Sequence, residues 1–225
     1  MRRTIAPIVA ALGLLASQGC LAHGSDSAPT DHASHGAPAA AEDRPVATEI
    51  AVKSKAPDAH TYFTDTELVD QDGRKVRFYS DVMAGRVVMF NFIFTSCEDA
   101  CPLITQAIVA VKDQIPEIFN KPVHFVSISV DPVTDTPERL RAFAEKNHAD
   151  VSGWTFLTGD PDKVAFILKK LGQFSEEREA HSTLLIAGNV PQKRWSKIRP
   201  EAPAAAIAER LRALAAVGVQ ARAPQ

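Results

Sequence analysis

The spacing of apolar and polar residues changes at definite places along this chain, and each change marks an element. Val87-Val88-Met89-Phe90-Asn91-Phe92-Ile93-Phe94 is an almost unbroken apolar run. Such a run reads as a strand buried on both faces. Val123 to Val130 is a second one, too short and too β-branched for a buried helix. Between them Ile104, Ile108, Val111 and Ile115 recur at helical spacing, and Pro116 ends the pattern, which predicts a helix over 103–115. Thr136-Pro137-Glu138 and Asp160-Pro161 each set a capping residue before a proline at the first helical position. The first of these helices turns Leu140 and Phe143 inward. The second turns in Val164, Ile167, Leu168 and Leu171, and Gly172 stops it. Trp154-Thr155-Phe156-Leu157 is a short strand between the two.

Hairpins are expected at both ends of this run. Glu67-Leu68-Val69 and Val76-Arg77-Phe78 flank the turn signal Gln71-Asp72-Gly73. Thr183 to Ile186 pairs with Arg194 to Ile198, with Ala187-Gly188-Asn189 following the first strand at the turn. Pro203 to Val217 closes the domain as an amphipathic helix through Ile207, Leu211 and Leu214. Strands alternating with helices imply parallel neighbours joined by right-handed crossovers, and the final hairpin makes the sheet mixed. The fold class is therefore α/β: a central mixed sheet flanked by helices, with an N-terminal β-hairpin extension.

With 225 residues and 45% hydrophobic residues, the chain can build one sizeable core. We place that domain at 59–217, followed by a tail over 218–225. A net charge of −2 and the lack of a basic stripe argue against nucleic-acid binding. Arg2 and Arg3 precede an apolar stretch from Ile5 to Ala16, too short to span a bilayer comfortably and suited to a secretory signal over 1–22. That signal ends by cleavage after Ala22, by acylation of Cys20 as a lipoprotein, or persists as an anchor. Residues 23–58, rich in Ala, Pro, Ser, His and Asp, form a disordered linker. It carries His23, His32 and His35, with His60 just beyond: either a solvated tether or a weak metal-collecting tail.

The remaining two cysteines sit in one loop, Thr95-Ser96-Cys97-Glu98-Asp99-Ala100-Cys101-Pro102, between the first long strand and the helix after it. In an exported protein an idle thiol pair tends to oxidise, so this pair cycles, holds a metal or forms a structural bridge. On a regular helix, residues four apart hold their Cβ atoms about 5–6 Å apart. A disulfide wants roughly 3.5–4.5 Å, whereas two thiolates each about 2.3 Å from one ion can stand up to roughly 4.6 Å apart. If Cys97 lies in the loop before the helix, both states are within reach. Cys97, nearer the loop tip, is then the attacking thiol and Cys101 its partner. Two cysteines make an incomplete metal site, and His181, just before a core strand, is the candidate third ligand; the plainer alternative is a histidine hydrogen-bonded locally. Without an arginine in the 95–101 loop a peroxidase is disfavoured, and with three candidate ligands so is a closed zinc site.

Four motifs then occur in a recognisable order: Thr95-Ser96-Cys97-x-x-x-Cys101-Pro102, Ser129-Val130-Asp131-Pro132-x-x-Asp135-Thr136-Pro137-Glu138, Trp154-x-Phe156-Leu157-Thr158-Gly159, and His181-Ser182. Over about residues 60 to 215 the chain resembles the Sco/SenC family, exported thioredoxin-like proteins that help assemble the dinuclear copper centre of cytochrome c oxidase. The resemblance implies a thioredoxin-like fold and a periplasmic location, either free or at the periplasmic face of the inner membrane through a lipid anchor. It implies Cys97, Cys101 and His181 as ligands of copper, Cu(I) or Cu(II), and Asp131 and Asp135 as residues ordering the loop beside them. It further implies an acceptor such as cytochrome c oxidase subunit II, and a copper-donor chaperone or a thioredoxin-like reductant upstream. The expected role is copper delivery; the alternative is a thiol–disulfide oxidoreductase that reduces the acceptor's cysteines.

Overall fold

The computed structural model describes residues 58–220. The predicted export signal, Cys20, His23, His32, His35 and most of the linker lie outside them, as does the end of the tail. Helix α1 (Ala59–Phe63) leads into the hairpin β1 (Glu67–Asp70) and β2 (Lys75–Arg77). Then come β3 (Val87–Ile93), α2 (Ala100–Gln114), β4 (Val123–Ser129), α3 (Pro137–Lys146), β5 (Trp154–Thr158) and α4 (Pro161–Lys170). The hairpin β6 (Leu185–Asn189) and β7 (Arg194–Ile198) and helix α5 (Ala204–Gln220) complete the described chain. The seven strands form one sheet in the order β2-β1-β5-β4-β3-β6-β7. Strands β3, β4 and β5 are parallel to their neighbours among themselves, and the remaining pairings are antiparallel.

All of β3 is buried because the sheet is covered on both sides. Val87, Met89 and Ile93 point into a core shared with Ile108 and Val111 of α2 and with Ile207 and Leu211 of α5. Val88, Phe90 and Phe92 point the other way, onto Val164 and Ile167 of α4. Successive strand side chains alternate faces, so an unbroken apolar run needs two apolar layers to receive it. The one polar member, Asn91, has its carbonyl met by a buried chain: Trp154 Nε1–H donates to Ser127 Oγ at 2.9 Å, and Ser127 donates to Asn91 Oδ1 at 2.7 Å, while Asn91 Nδ2 has no partner among the described residues.

The expected caps are present, with Arg139 N–H donating to Thr136 and Asp162 and Lys163 N–H groups donating to Asp160. Gly172 takes a left-handed φ of +66° just beyond α4, as a helix stop requires. The N-terminal hairpin lies beside β5, not beside β3. Phe156 N–H donates to the buried Gln71 Oε1 at 2.9 Å, and Arg141 of α3 pairs with Asp72.

Beyond shifts of one residue, four elements differ from the sequence reading. Phe78 leaves the strand and opens a π-helical turn over 78–83, which buries Phe78, Val82 and Met83. Helix α2 begins at Ala100, three residues early, and so contains Cys101 and Pro102. Helix α5 runs on to Gln220. Strand β6 starts at Leu185 and takes in Ala187, Gly188 and Asn189, which pair with Met89, Val88 and Val87. The reason is Trp195: it stands opposite Gly188, and a Cβ there would come within 2.2 Å of the indole. A glycine that reads as a turn is the space an aromatic ring needs on the neighbouring strand.

Candidate metal centre

Strand β3 delivers Phe94, and the chain turns at once, with Cys97 N–H donating to Phe94 O at 3.1 Å. Helix α2 starts three residues later without a side-chain cap from Asp99. The sulfur of Cys97 takes that place, accepting the N–H of Cys101 at 3.3 Å. A helix N-terminus leaves such N–H groups without internal partners and favours negative charge, so it suits a thiolate. Both cysteines are free thiols, Cys97 half-buried and Cys101 buried. Burial pushes the Cys101 thiol up to about 12, with the adjacent Cys97 sulfur adding to the shift. The two sulfurs are therefore brought together but are not equivalent: one faces outward and the other keeps its proton inside.

A buried carboxylate fixes the root of this turn. Thr95 N–H donates to the two oxygens of Asp135 at 3.1 and 3.2 Å, and Thr95 Oγ1 donates at 2.5 Å. Ser129 Oγ donates to the same carboxylate at 2.6 Å and in turn accepts Asp131 N–H at 3.0 Å. Asp135 is 1% exposed, which so many donors make tolerable. Thr95 and Ser129 each head one of the four motifs, but nothing in their spacing shows that both donate to one carboxylate.

The Asp131 carboxylate points elsewhere, to Arg178 Nη1 at 2.5 Å. Arg178 opens a three-residue 3₁₀ turn, Arg178–Ala180, with His181 at its end. His181 Nδ1 lies 2.5 Å from Arg178 O. A carbonyl oxygen only accepts, so Nδ1 carries the hydrogen and the neutral ring keeps its lone pair on Nε2. Among the described residues Nε2 has no hydrogen-bond partner. The ring stands edge-on to Phe94, with centroids 5.6 Å apart. His181 is thus bonded locally, as the plainer reading expects, and its free nitrogen is the one a metal would use.

Phe94 joins the two halves, touching His181 with its ring and Cys97 with its carbonyl. The three candidate ligands do not converge on one point: among the described residues no group of three His, Cys, Asp or Glu side chains is close enough to hold a metal ion. The loop between α4 and β6 contains only the 3₁₀ turn as regular structure, so the imidazole is carried by an irregular segment and not by the sheet. His60 belongs to α1, where its ring packs against Tyr79 and Nε2 lies 3.4 Å from Asp65. A cavity of about 340 Å³ opens beside Cys97, lined by Thr95, Ser96, Pro102 and Phe143, with Arg139 and Lys146 of α3 along it.

The family model described as SCO1/SenC matches residues 54–216. The chain spans about half the length of the curated relatives it matches. It is 37% identical over 90 residues to the SCO1 protein homolog of Bacillus subtilis, which covers 40% of this chain and 45% of that one. Among solved structures, a SCO1/SenC family lipoprotein from Bacillus anthracis superposes with a TM-score of 0.58 and 28% identity, over 66% of this chain and 92% of that one. BsSco, a member of the Sco family of cytochrome c oxidase assembly proteins with a disulfide switch, gives 0.56 and 27%, over 66% and 90%. Arabidopsis thaliana ScoI with copper bound gives 0.55 at 22% identity, over 64% and 92%, a likeness of fold. The fold is the thioredoxin-like one of these proteins, a mixed seven-stranded sheet with helices on both faces.

Proposed function

The chain belongs to the SCO1/SenC family, and from that premise we propose that it is an exported copper-binding protein that delivers copper to, or prepares, the copper site of a respiratory oxidase. Copper is the cargo, and Cys97, Cys101 and His181 hold it. The observation that carries this reading is the sulfur pair at the head of α2, with His181 Nε2 left free one aromatic ring away. Two thiolates and an imidazole suit Cu(I), and the same set holds Cu(II). Cys101 keeps its proton in the metal-free fold, so loading exchanges that proton for a cation and is favoured by rising pH. Asp135 orders the cysteine turn, and Asp131 orders the loop that carries His181. The cavity beside Cys97 is where an acceptor, such as subunit II of the oxidase, approaches the outward sulfur. The SCO1/SenC lipoprotein among the structural neighbours supports export to the periplasm, by way of the signal over 1–22 or acylation at Cys20.

The test is an anaerobic Cu(I) titration of the reduced protein against a chromophoric chelator. Wild type takes up one copper per chain, Cys97→Ala and Cys101→Ala lose it, and His181→Ala weakens it. Unchanged affinity in His181→Ala removes the imidazole from the ligand set.

The unequal exposure of the thiols favours a second reading, a thiol–disulfide oxidoreductase. Cys97 as thiolate attacks one sulfur of an acceptor disulfide and releases the other as thiolate. Cys101 then loses its proton and attacks Cys97, giving the Cys97–Cys101 disulfide and the second acceptor thiol. Two electrons pass to the acceptor. In this reading His181→Ala turns over a disulfide substrate at the wild-type rate.

A further inference from the structure

Arg178 touches both halves of the site by different means. Its guanidinium donates to Asp131 at 2.5 Å and to Glu179 at 2.7 Å. Its guanidinium carbon lies 5.3 Å from the centroid of the Phe94 ring. Its own carbonyl accepts His181 Nδ1. From Asp131 the contacts run on through Ser129 and Asp135 to Thr95, the root of the cysteine turn. One side chain thus links the acceptor that fixes the imidazole tautomer, the aromatic ring that the imidazole packs on, and the loop anchored beneath the sulfurs.

We propose that Arg178 is the positioning residue for His181: clamped by Asp131 and lying over Phe94, it sets which nitrogen of the imidazole is free and from where it approaches the cysteines. The inference rests on the copper reading above and assigns a role that no spacing along the chain suggests. Arginine suits the task because its planar guanidinium can bond a carboxylate in its plane while its face lies on an aromatic ring. A lysine offers a single point charge that can satisfy Asp131 but cannot reproduce the planar fork that also bonds Glu179 while lying over the ring. Ligand histidines owe much of their orientation to the group that holds the other ring nitrogen. Here that group is the backbone of Arg178, so releasing the side chain releases the acceptor.

Two measurements on the full chain, reduced and anaerobic, test this. The first needs no metal: nitrogen-15 imidazole shifts of histidine-labelled protein, with the His181 signals assigned from His181→Ala. Wild type should show a fixed Nδ1–H tautomer, and Arg178→Ala and Asp131→Asn should both show an averaged one. The second is Cu(I) competition. Arg178→Ala and Asp131→Asn should each bind about 10-fold more weakly, in the range found for groups that orient a metal ligand. Arg178→Lys should fall between them and wild type, and neither Arg178→Ala nor Asp131→Asn should cost anything further in a His181→Ala background. The proposal is overturned if Arg178→Ala keeps wild-type affinity while His181→Ala does not, or if the loss persists without His181. If His181→Ala alone leaves affinity unchanged, the ligand reading fails, and the tautomer measurement still decides what Arg178 does.

Discussion

The turn that carries Cys97 and Cys101 and the loop that carries His181 meet at Phe94 but are anchored in different ways. Beneath the turn lies Asp135, 1% exposed, accepting from Thr95 twice over and from Ser129. Behind the loop lies Arg178, whose side chain is 42% exposed, paired with an Asp131 side chain that is 12% exposed. Hydrogen bonds to a buried charge contribute roughly 1.5–3 kcal/mol each, whereas an exposed ion pair contributes about 0–1 kcal/mol. The sulfurs are therefore set by the folded core. The imidazole is set by the Phe94 ring and by a loop carbonyl whose own residue is anchored through a partly exposed ion pair. On the copper reading proposed above, that division would give the ion two preset ligands and one held more loosely.

The comparison breaks first at Asp135. Asp135→Ala leaves Thr95 N–H, Thr95 Oγ1 and Ser129 Oγ without their acceptor and should cost on the order of 3 kcal/mol. Guanidinium unfolding of the reduced protein measures it, and a loss under about 1 kcal/mol would mean that the two anchors are alike after all.

Next in size is the pH dependence. The Cys101 thiol titrates at about 12 in the fold, against an ordinary value near 9. A group whose folded pKa is raised contributes stability that is complete below the unfolded value and is lost as pH rises through the folded one. Metal-free protein should therefore lose stability between about pH 9 and 12, and Cys101→Ala should lose less over that window. Urea midpoints for the two proteins at pH 8 and pH 10 decide the point. In the same protein iodoacetamide should modify Cys97 at least about 10-fold faster than Cys101, because burial shields the Cys101 sulfur and holds its proton on; equal rates would remove the asymmetry.

Far from the site, Gly188→Ala should push Trp195 off β6 and cost about 1–2 kcal/mol without changing copper affinity. A change in affinity would tie the terminal hairpin to the metal. The smallest effect sharpens the comparison most. Arg178→Ala should leave the guanidinium unfolding midpoint close to that of wild type, so whatever it does to copper binding comes through His181 and not through loss of the fold.

How much of this could be read from residue order depends on the kind of information each feature needs. Strand β3 is legible because Val87 to Ile93 must be received by two apolar layers. Helices α3 and α4 are legible because Thr136-Pro137 and Asp160-Pro161 carry their own start signals. The start of α2 is not: Glu98, Asp99 and Ala100 have no apolar period, and Pro102 looks like a break although a first helical turn accepts it. Ala187-Gly188-Asn189 looks like a turn because the ring that fills the glycine's space, Trp195, arrives from another strand. His181 could be named as a candidate but not placed, and nothing singles out Arg178 in Ser175-Glu176-Glu177-Arg178-Glu179.

The order of residues by itself determined which segments are strands and helices, and set two sulfurs four residues apart where a strand hands over to a helix. Both rest on local period and on the chemistry of caps and breakers, which act over a few residues. Tertiary structure alone decided what anchors those sulfurs and what faces them. Thr95 finds Asp135 across 40 residues, and Arg178 finds Asp131 across 47. Such partners are chosen by which strand ends the sheet sets side by side, a property of the strand order β5-β4-β3-β6 that no local spacing records.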